Sequence, residues 1–236
     1  MIVAAALCPC PPLLAPELTG QDDVLPELRA ACATAVARLV RADPDVLAVV
    51  GPDERTSSWP ADGRLDAGAY APALARASRT PRADRPALPL SLGVGALLLD
   101  EAGYTGPRVM QAVAETEQAE NCLALGQEIA GSASRVAVLA MGDGSARRSA
   151  SAPGYLDERA APFDAAVERA VRDGDLPALA SLDPALASDL LAVGRPAWQA
   201  LAGALDAVPV ETQVLYCEAP FGVAYLVASL IPTARP

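Results

Sequence analysis

Apolar residues in this chain of 236 fall into two rhythms. The first is a short unbroken run bounded by turn residues. Ile2–Leu7 stops at Cys8-Pro9-Cys10-Pro11-Pro12, Asp45–Pro52 ends in a turn, and Arg135–Met141 ends at Gly142-Asp143-Gly144-Ser145. Runs of this kind suit strands buried on both faces. The second rhythm is helical. Leu28, Ala31, Cys32, Ala35, Val36 and Leu39 recur at three- and four-residue steps and leave Glu27, Arg29 and Arg38 for the solvent side. That spacing predicts a helix over Leu25–Arg41. Strand, helix and strand in this order imply a parallel pair with a right-handed crossover.

The rest of the chain continues the alternation. Ser91 is placed to N-cap a helix through Leu92–Leu99, with Gly103 closing it. Arg108–Val113 reads as a strand. Thr116 and the acidic stretch Glu117–Glu120 start a helix that reaches about Ala130. Ala160–Arg172 is strongly amphipathic, and short helices follow at Leu176–Leu182, Pro184–Ala192 and Arg195–Leu205. Glu211–Cys217 reads as a strand, and Val223–Leu230 as a strand or a short helix. Residues 53–90 are rich in Pro, Arg, Asp, Ser and Gly and predict a long loop or lid with little regular structure. No internal repeat is visible. The expected architecture is one α/β domain over 1–236, with a mostly parallel central sheet flanked by helices.

Composition narrows the classes. Hydrophobic residues make up 52% of the chain but aromatics only 4%, so Ala, Leu and Val must build the core. All 18 basic residues are Arg, a bias of GC-rich codons that makes any single Arg weak as a functional signal. The net charge of −11 argues against a nucleic-acid partner, since such proteins carry basic patches. Cys8, Cys10, Cys32, Cys122 and Cys217 form no CxxC pair and are odd in number, so reduced thiols in a cytoplasmic protein are expected. The apolar N-terminus is too short for a signal peptide, and no run is long enough to span a membrane. A homodimer through an apolar helix face is the assembly considered, dimers being the commonest oligomer.

Ligands in parallel sheets sit beyond the carboxyl ends of the strands. That rule nominates Cys8–Pro12, Pro52–Arg55, Met141–Arg148 and Glu218–Gly222. Within them Asp143, Ser145 and Arg147 are the candidate catalytic residues. Cys10, Asp53, Arg148 and Glu218 are the candidate ligand-binding residues. Arg147 and Arg148 suit a carboxylate or phosphate clamp. Tyr155, Tyr216 and Tyr225 are further acid/base candidates, and Trp59 a candidate lid or interface anchor. Gly93-x-Gly95 lacks both the third glycine and the preceding strand of a dinucleotide site. Ser145 is not in a nucleophile elbow, and with no histidine in the chain no Ser-His or Cys-His pair can form.

The order of these strand ends resembles the class III extradiol ring-cleavage dioxygenase (LigB-like) superfamily, which includes the Memo-like proteins. Cys10-Pro11-Pro12-Leu13-Leu14 is similar to its His-Pro-rich turn. Val49-Val50-Gly51-Pro52-Asp53 is similar to its Gly-Pro-x-His strand end. Met141-Gly142-Asp143-Gly144-Ser145-Ala146 is similar to its Ser-Gly-Asp-x-Ser-His stretch. The resemblance implies a cleft in which two His and one Glu hold Fe(II), with another His as acid/base. Here Cys10, Asp53 and Ala146 stand at the three histidine positions, and Glu218 is the candidate surviving carboxylate. The expectation is a catalytically degenerate protein that binds a small molecule or a partner, with no cofactor. The alternative is an enzyme on the same scaffold. It would use Fe(II) or Zn(II) on Cys10, Asp53 and Glu218, or act without metal through its carboxylates and arginines.

Overall fold

β1 (Ile2–Cys8), β2 (Val46–Asp53), β6 (Arg108–Ala114) and β7 (Val136–Met141) form a parallel core in the spatial order β6-β2-β7-β1. The computed structural model describes residues 1–19, 24–70 and 85–233. The unbroken apolar runs of these strands have a direct cause. Successive residues alternate between two cores, Ala5 and Leu7 facing one and Ala4, Ala6 and Cys8 the other. Both faces are covered, so neither position can be polar.

The sheet is mostly parallel but its edges are not. β9 (Tyr225–Pro232) inserts antiparallel beside β1, and β8 (Val210–Glu218) pairs antiparallel outside it. Val223–Leu230 is thus strand rather than helix. At the other edge β3 (Ser57–Trp59) runs antiparallel to β6. A small pair, β4 (Arg64–Leu65) with β5 (Ala87–Leu88), lies apart. The excursion over 53–90 therefore carries more regular structure than its composition predicts. Of its length, 71–84 falls outside the described residues.

One face of the sheet is covered by α2 (Pro26–Arg41) and α4 (Leu90–Glu101), which follow the short α1 (Pro16–Thr19) and α3 (Ala67–Tyr70). Pro26 opens α2 at a position where the missing N–H costs nothing. Ser91 does not cap α4. It sits inside the helix, and its hydroxyl donates to the Pro52 carbonyl at 2.8 Å, tying α4 to the end of β2.

The other face carries α5 (Ala119–Ala130), α6 (Ala160–Asp173), α7 (Leu176–Ala180), α8 (Pro184–Asp189) and α9 (Arg195–Ala204). Every residue of α9 is buried, including Arg195 at 1% exposure. Its guanidinium donates to the carbonyls of Glu115 (2.6 Å) and Glu117 (2.5 Å) and to Gln199 Oε1 (2.9 Å). This explains why α5 starts at Ala119 and not at Thr116. The turn before it is held open by Arg195, which takes up its carbonyls.

α5 and α9 approach so closely that only glycine fits at two facing points. A Cβ on Gly126 would lie 1.9 Å from the Ala200 carbonyl oxygen, and one on Gly203 would lie 2.2 Å from that of Leu123. No helix among the described residues is long and apolar enough to cross a membrane.

Gly126→Ala is expected to destabilise the protein by about 3 kcal/mol or more, since the obstruction is backbone and cannot turn aside. Gly131→Ala, where a Cβ meets nothing nearer than 3.6 Å, should stay within about 0.5 kcal/mol. Urea midpoints of the two variants check the contrast.

Candidate functional site

The carboxyl ends of the parallel strands converge at one end of the sheet. β1 runs into Cys10, β2 ends at Asp53, β6 leads to Glu115, and β7 leads to Asp143. Tyr225 enters from the start of β9, and Tyr70 from the end of α3.

The floor of this cleft is a contact between Cys10 and Asp143. The Cys10 backbone N–H donates to Asp143 Oδ1 at 2.8 Å, and the thiol hydrogen-bonds the same carboxylate. Cys10 is 4% exposed. Asp143 lies deep among protein atoms and is partly exposed. Burial pushes the Asp143 carboxyl up to about 6, against the opposing effect of the two Cys10 hydrogen bonds. Burial, and then the neighbouring Asp143 and Glu115 carboxylates, push the Cys10 thiol well up.

The other groups shift the same way. Glu115 is raised by burial and by Asp53 and Glu54. Tyr70 is raised by burial, Cys10, Asp53 and Asp66. Tyr225 is raised by burial, Asp143, Cys10 and Tyr216. Near neutral pH the cleft is a set of protonated thiol and phenol donors around one carboxyl tuned close to neutrality. A protonated, buried thiol is a poor nucleophile and a poor metal ligand.

The remaining candidates belong elsewhere. Ser145 is fully buried and is not a cleft residue. Its N–H and hydroxyl donate to the two oxygens of Asp164, at 2.9 and 2.5 Å, and clamp α6 to the turn after β7. Arg148 completes the clamp at 3.1 Å from Asp164 Oδ2. Burial raises the Asp164 carboxyl although these donors oppose it. Arg147 donates to the Gly154 carbonyl at 2.5 Å and braces its own loop. The pair is therefore not a free clamp for an anion. Glu218 lines a cavity of about 160 Å³ with Arg148, Asp164, Glu168, Trp198 and Tyr225; Cys10 and Asp53 are not among its lining residues.

Cys10, Asp53 and Glu218 do not form a metal site. Among the described residues no group of three or more Cys, Asp or Glu side chains is placed to hold a metal ion. The Fe(II) or Zn(II) of the alternative reading does not fit this donor set. All five cysteines are free; Cys8 and Cys32 hydrogen-bond each other in the core. Tyr155 is exposed at positive φ on its loop, and Trp59 is a half-buried residue of edge strand β3 paired with Met110. Neither reaches the Cys10–Asp143 floor.

Two cleft residues and one clamp residue escape the sequence reading. Glu115 follows the end of β6, so the strand-end rule applied to that strand finds it. Asp164 occupies an apolar-face position of α6, between Phe163 and Val167, and an acid there is itself a signal. Tyr70 has no such pattern.

No family model matches the chain, and no curated protein matches it. Among solved structures the chain is similar to the crystal structure of uncharacterized protein JW3007 from Escherichia coli K12. The TM-score is 0.57 at 15% identity, over 97% of this chain and 99% of that one. The likeness is one of fold.

The raised Asp143 carboxyl has a defined effect on stability. The unfolded chain loses this proton near pH 4 and the folded chain near pH 6. Between those values the folded state holds the extra proton, so stability falls as pH rises and levels off above 6. Asp143→Asn keeps an acceptor for Cys10 N–H and lacks the titration. Wild-type stability relative to Asp143→Asn is therefore expected to drop by roughly 2–3 kcal/mol from pH 4 to pH 7. Urea unfolding of both proteins across that range measures it, and a flat difference would show an ordinary carboxyl.

Proposed function

We propose that this chain is a divergent member of the class III extradiol dioxygenase (LigB-like) superfamily that has lost Fe(II) ring cleavage and binds a small polar molecule in its strand-end cleft. One observation carries the reading. At the floor of the cleft, where the resemblance expects an iron-binding imidazole, a protonated Cys10 thiol is spent on a hydrogen bond to Asp143. The mostly parallel sheet, with its polar groups at the carboxyl ends of β1, β2, β6 and β7, supports the scaffold part of the proposal. The loss of all imidazole supports the rest, because the usual metal ligand and the usual proton shuttle go together.

The chemistry left to the cleft is recognition by hydrogen bonding. Tyr70 and Tyr225 donate; Asp53 and Asp143 accept. A hydroxylated aromatic such as a catechol matches such a surface, offering both donors and acceptors beside an apolar ring.

One feature favours a second reading. A carboxyl held at about 6 in a cleft is suited to general acid/base work without metal. On that reading Asp143 moves the proton and the phenols position the substrate.

The test uses the full chain after anaerobic loading with Fe(II) or Zn(II) and desalting. Elemental analysis is expected to show metal well below one equivalent. Titration with catechol, read by tryptophan fluorescence, should show saturable binding without oxygen uptake. Stoichiometric metal that disappears in Cys10→Ala or Asp53→Ala, with oxygen consumption, would overturn the proposal. Turnover of the bound compound without metal, lost in Asp143→Asn, would establish the second reading instead.

A further inference from the structure

At the opposite end of the sheet a second pocket, of about 500 Å³, opens between the last turn of α2 and the β8–β9 edge. Arg38, Arg41, Glu211, Gln213 and Ser229 supply most of its polar groups. Nothing in the strand-end cleft depends on it.

Ser229 is the unusual member. It lies on β9 between its partners Ala6 on β1 and Gln213 on β8, and it is 1% exposed. Its hydroxyl has no hydrogen-bond partner among the described residues. A buried hydroxyl without a partner is costly, and replacing it by a methyl would remove the cost. Ser229 lies in the pocket wall, its unpartnered hydroxyl beneath the surface there.

The two guanidiniums are the second observation. Arg38 is half-buried and Arg41 exposed, three residues apart on one face of α2. Neither side chain has an ion pair or hydrogen bond with a described residue. The negative end of the α2 dipole accounts for basic residues in its last turn. It accounts for neither the open volume nor the orphan hydroxyl.

We propose that this pocket binds a small anion, a carboxylate or a phosphate, between the forks of Arg38 and Arg41 with the Ser229 hydroxyl as an inner donor. Its volume lies in the range of small-molecule sites. Gln213 offers a further amide to the same ligand. Glu211, in the same wall, disfavours a polyanion, so a mono- or dianion is the fit.

Isothermal titration of the full chain with inorganic phosphate and, separately, succinate tests this, with chloride matching the ionic strength so that general screening cancels. Saturable binding of at least one is expected, and the two arms tell phosphate from carboxylate. Arg38→Gln/Arg41→Gln should weaken it roughly tenfold or more. Ser229→Ala should weaken it several-fold while raising the thermal midpoint of the ligand-free protein, an opposition that a purely structural serine would not produce. Arg41 is exposed and unpaired among the described residues, so Arg41→Gln alone serves if the double variant fails to fold. The site is overturned if neither anion binds, or if affinity is unchanged in the arginine variants or in Ser229→Ala.

Discussion

The four residues after β7 are the joint on which this structure turns. Gly142 N–H donates to the Cys8 carbonyl, Asp143 accepts from Cys10 through its side chain and from Gly194 through its carbonyl, and Gly144 N–H donates to Ala224. Ser145 adds the Asp164 clamp. β1, β9, α6 and α9 are thus all fastened to one turn. The fastening works only because the chain is thin there. A Cβ on Gly142 would stand 2.3 Å from the Gly194 Cα, so two backbones touch where any side chain would part them. The strand-end group is tied to this joint, since Asp143 is at once a structural tie and a carboxyl raised by burial.

Much of the fold was legible because burial on two faces leaves an unmistakable trace. β1, β2 and β7 read as continuous apolar runs, and α2 and α6 as amphipathic repeats. What could not be read was pairing. Parallel core and antiparallel edges use the same residues, and only the position of β9 between β1 and β8 decides its direction. Ser91 misled for a related reason. A serine before an apolar run is a common cap, but here Pro89 occupies the cap position and the serine is drawn inward to the Pro52 carbonyl.

The site was half legible. Strand ends bring Cys10, Asp53 and Asp143 to one end of the sheet. They do not separate a side chain that faces it from one turned into the core, and Ser145, Arg147 and Glu218 fall on that distinction. Ser145 lies two residues past Asp143 in the same turn, yet it faces α6. A one-dimensional rule has no access to that rotation.

Arg195 carries a consequence for how such a chain finds its structure. Gly126 and Gly203 already let the α5 and α9 backbones meet at only one alignment. The guanidinium adds a second, polar mark of the same register. Its burial lowers its affinity for a proton, and its hydrogen bonds go to backbone carbonyls rather than to a carboxylate. A helix slid by one turn would strand that charge in an apolar layer without those carbonyls, at a penalty of several kcal/mol. Steric fit and a buried cation thus select the same alignment, and their agreement is what makes a core of small residues unambiguous.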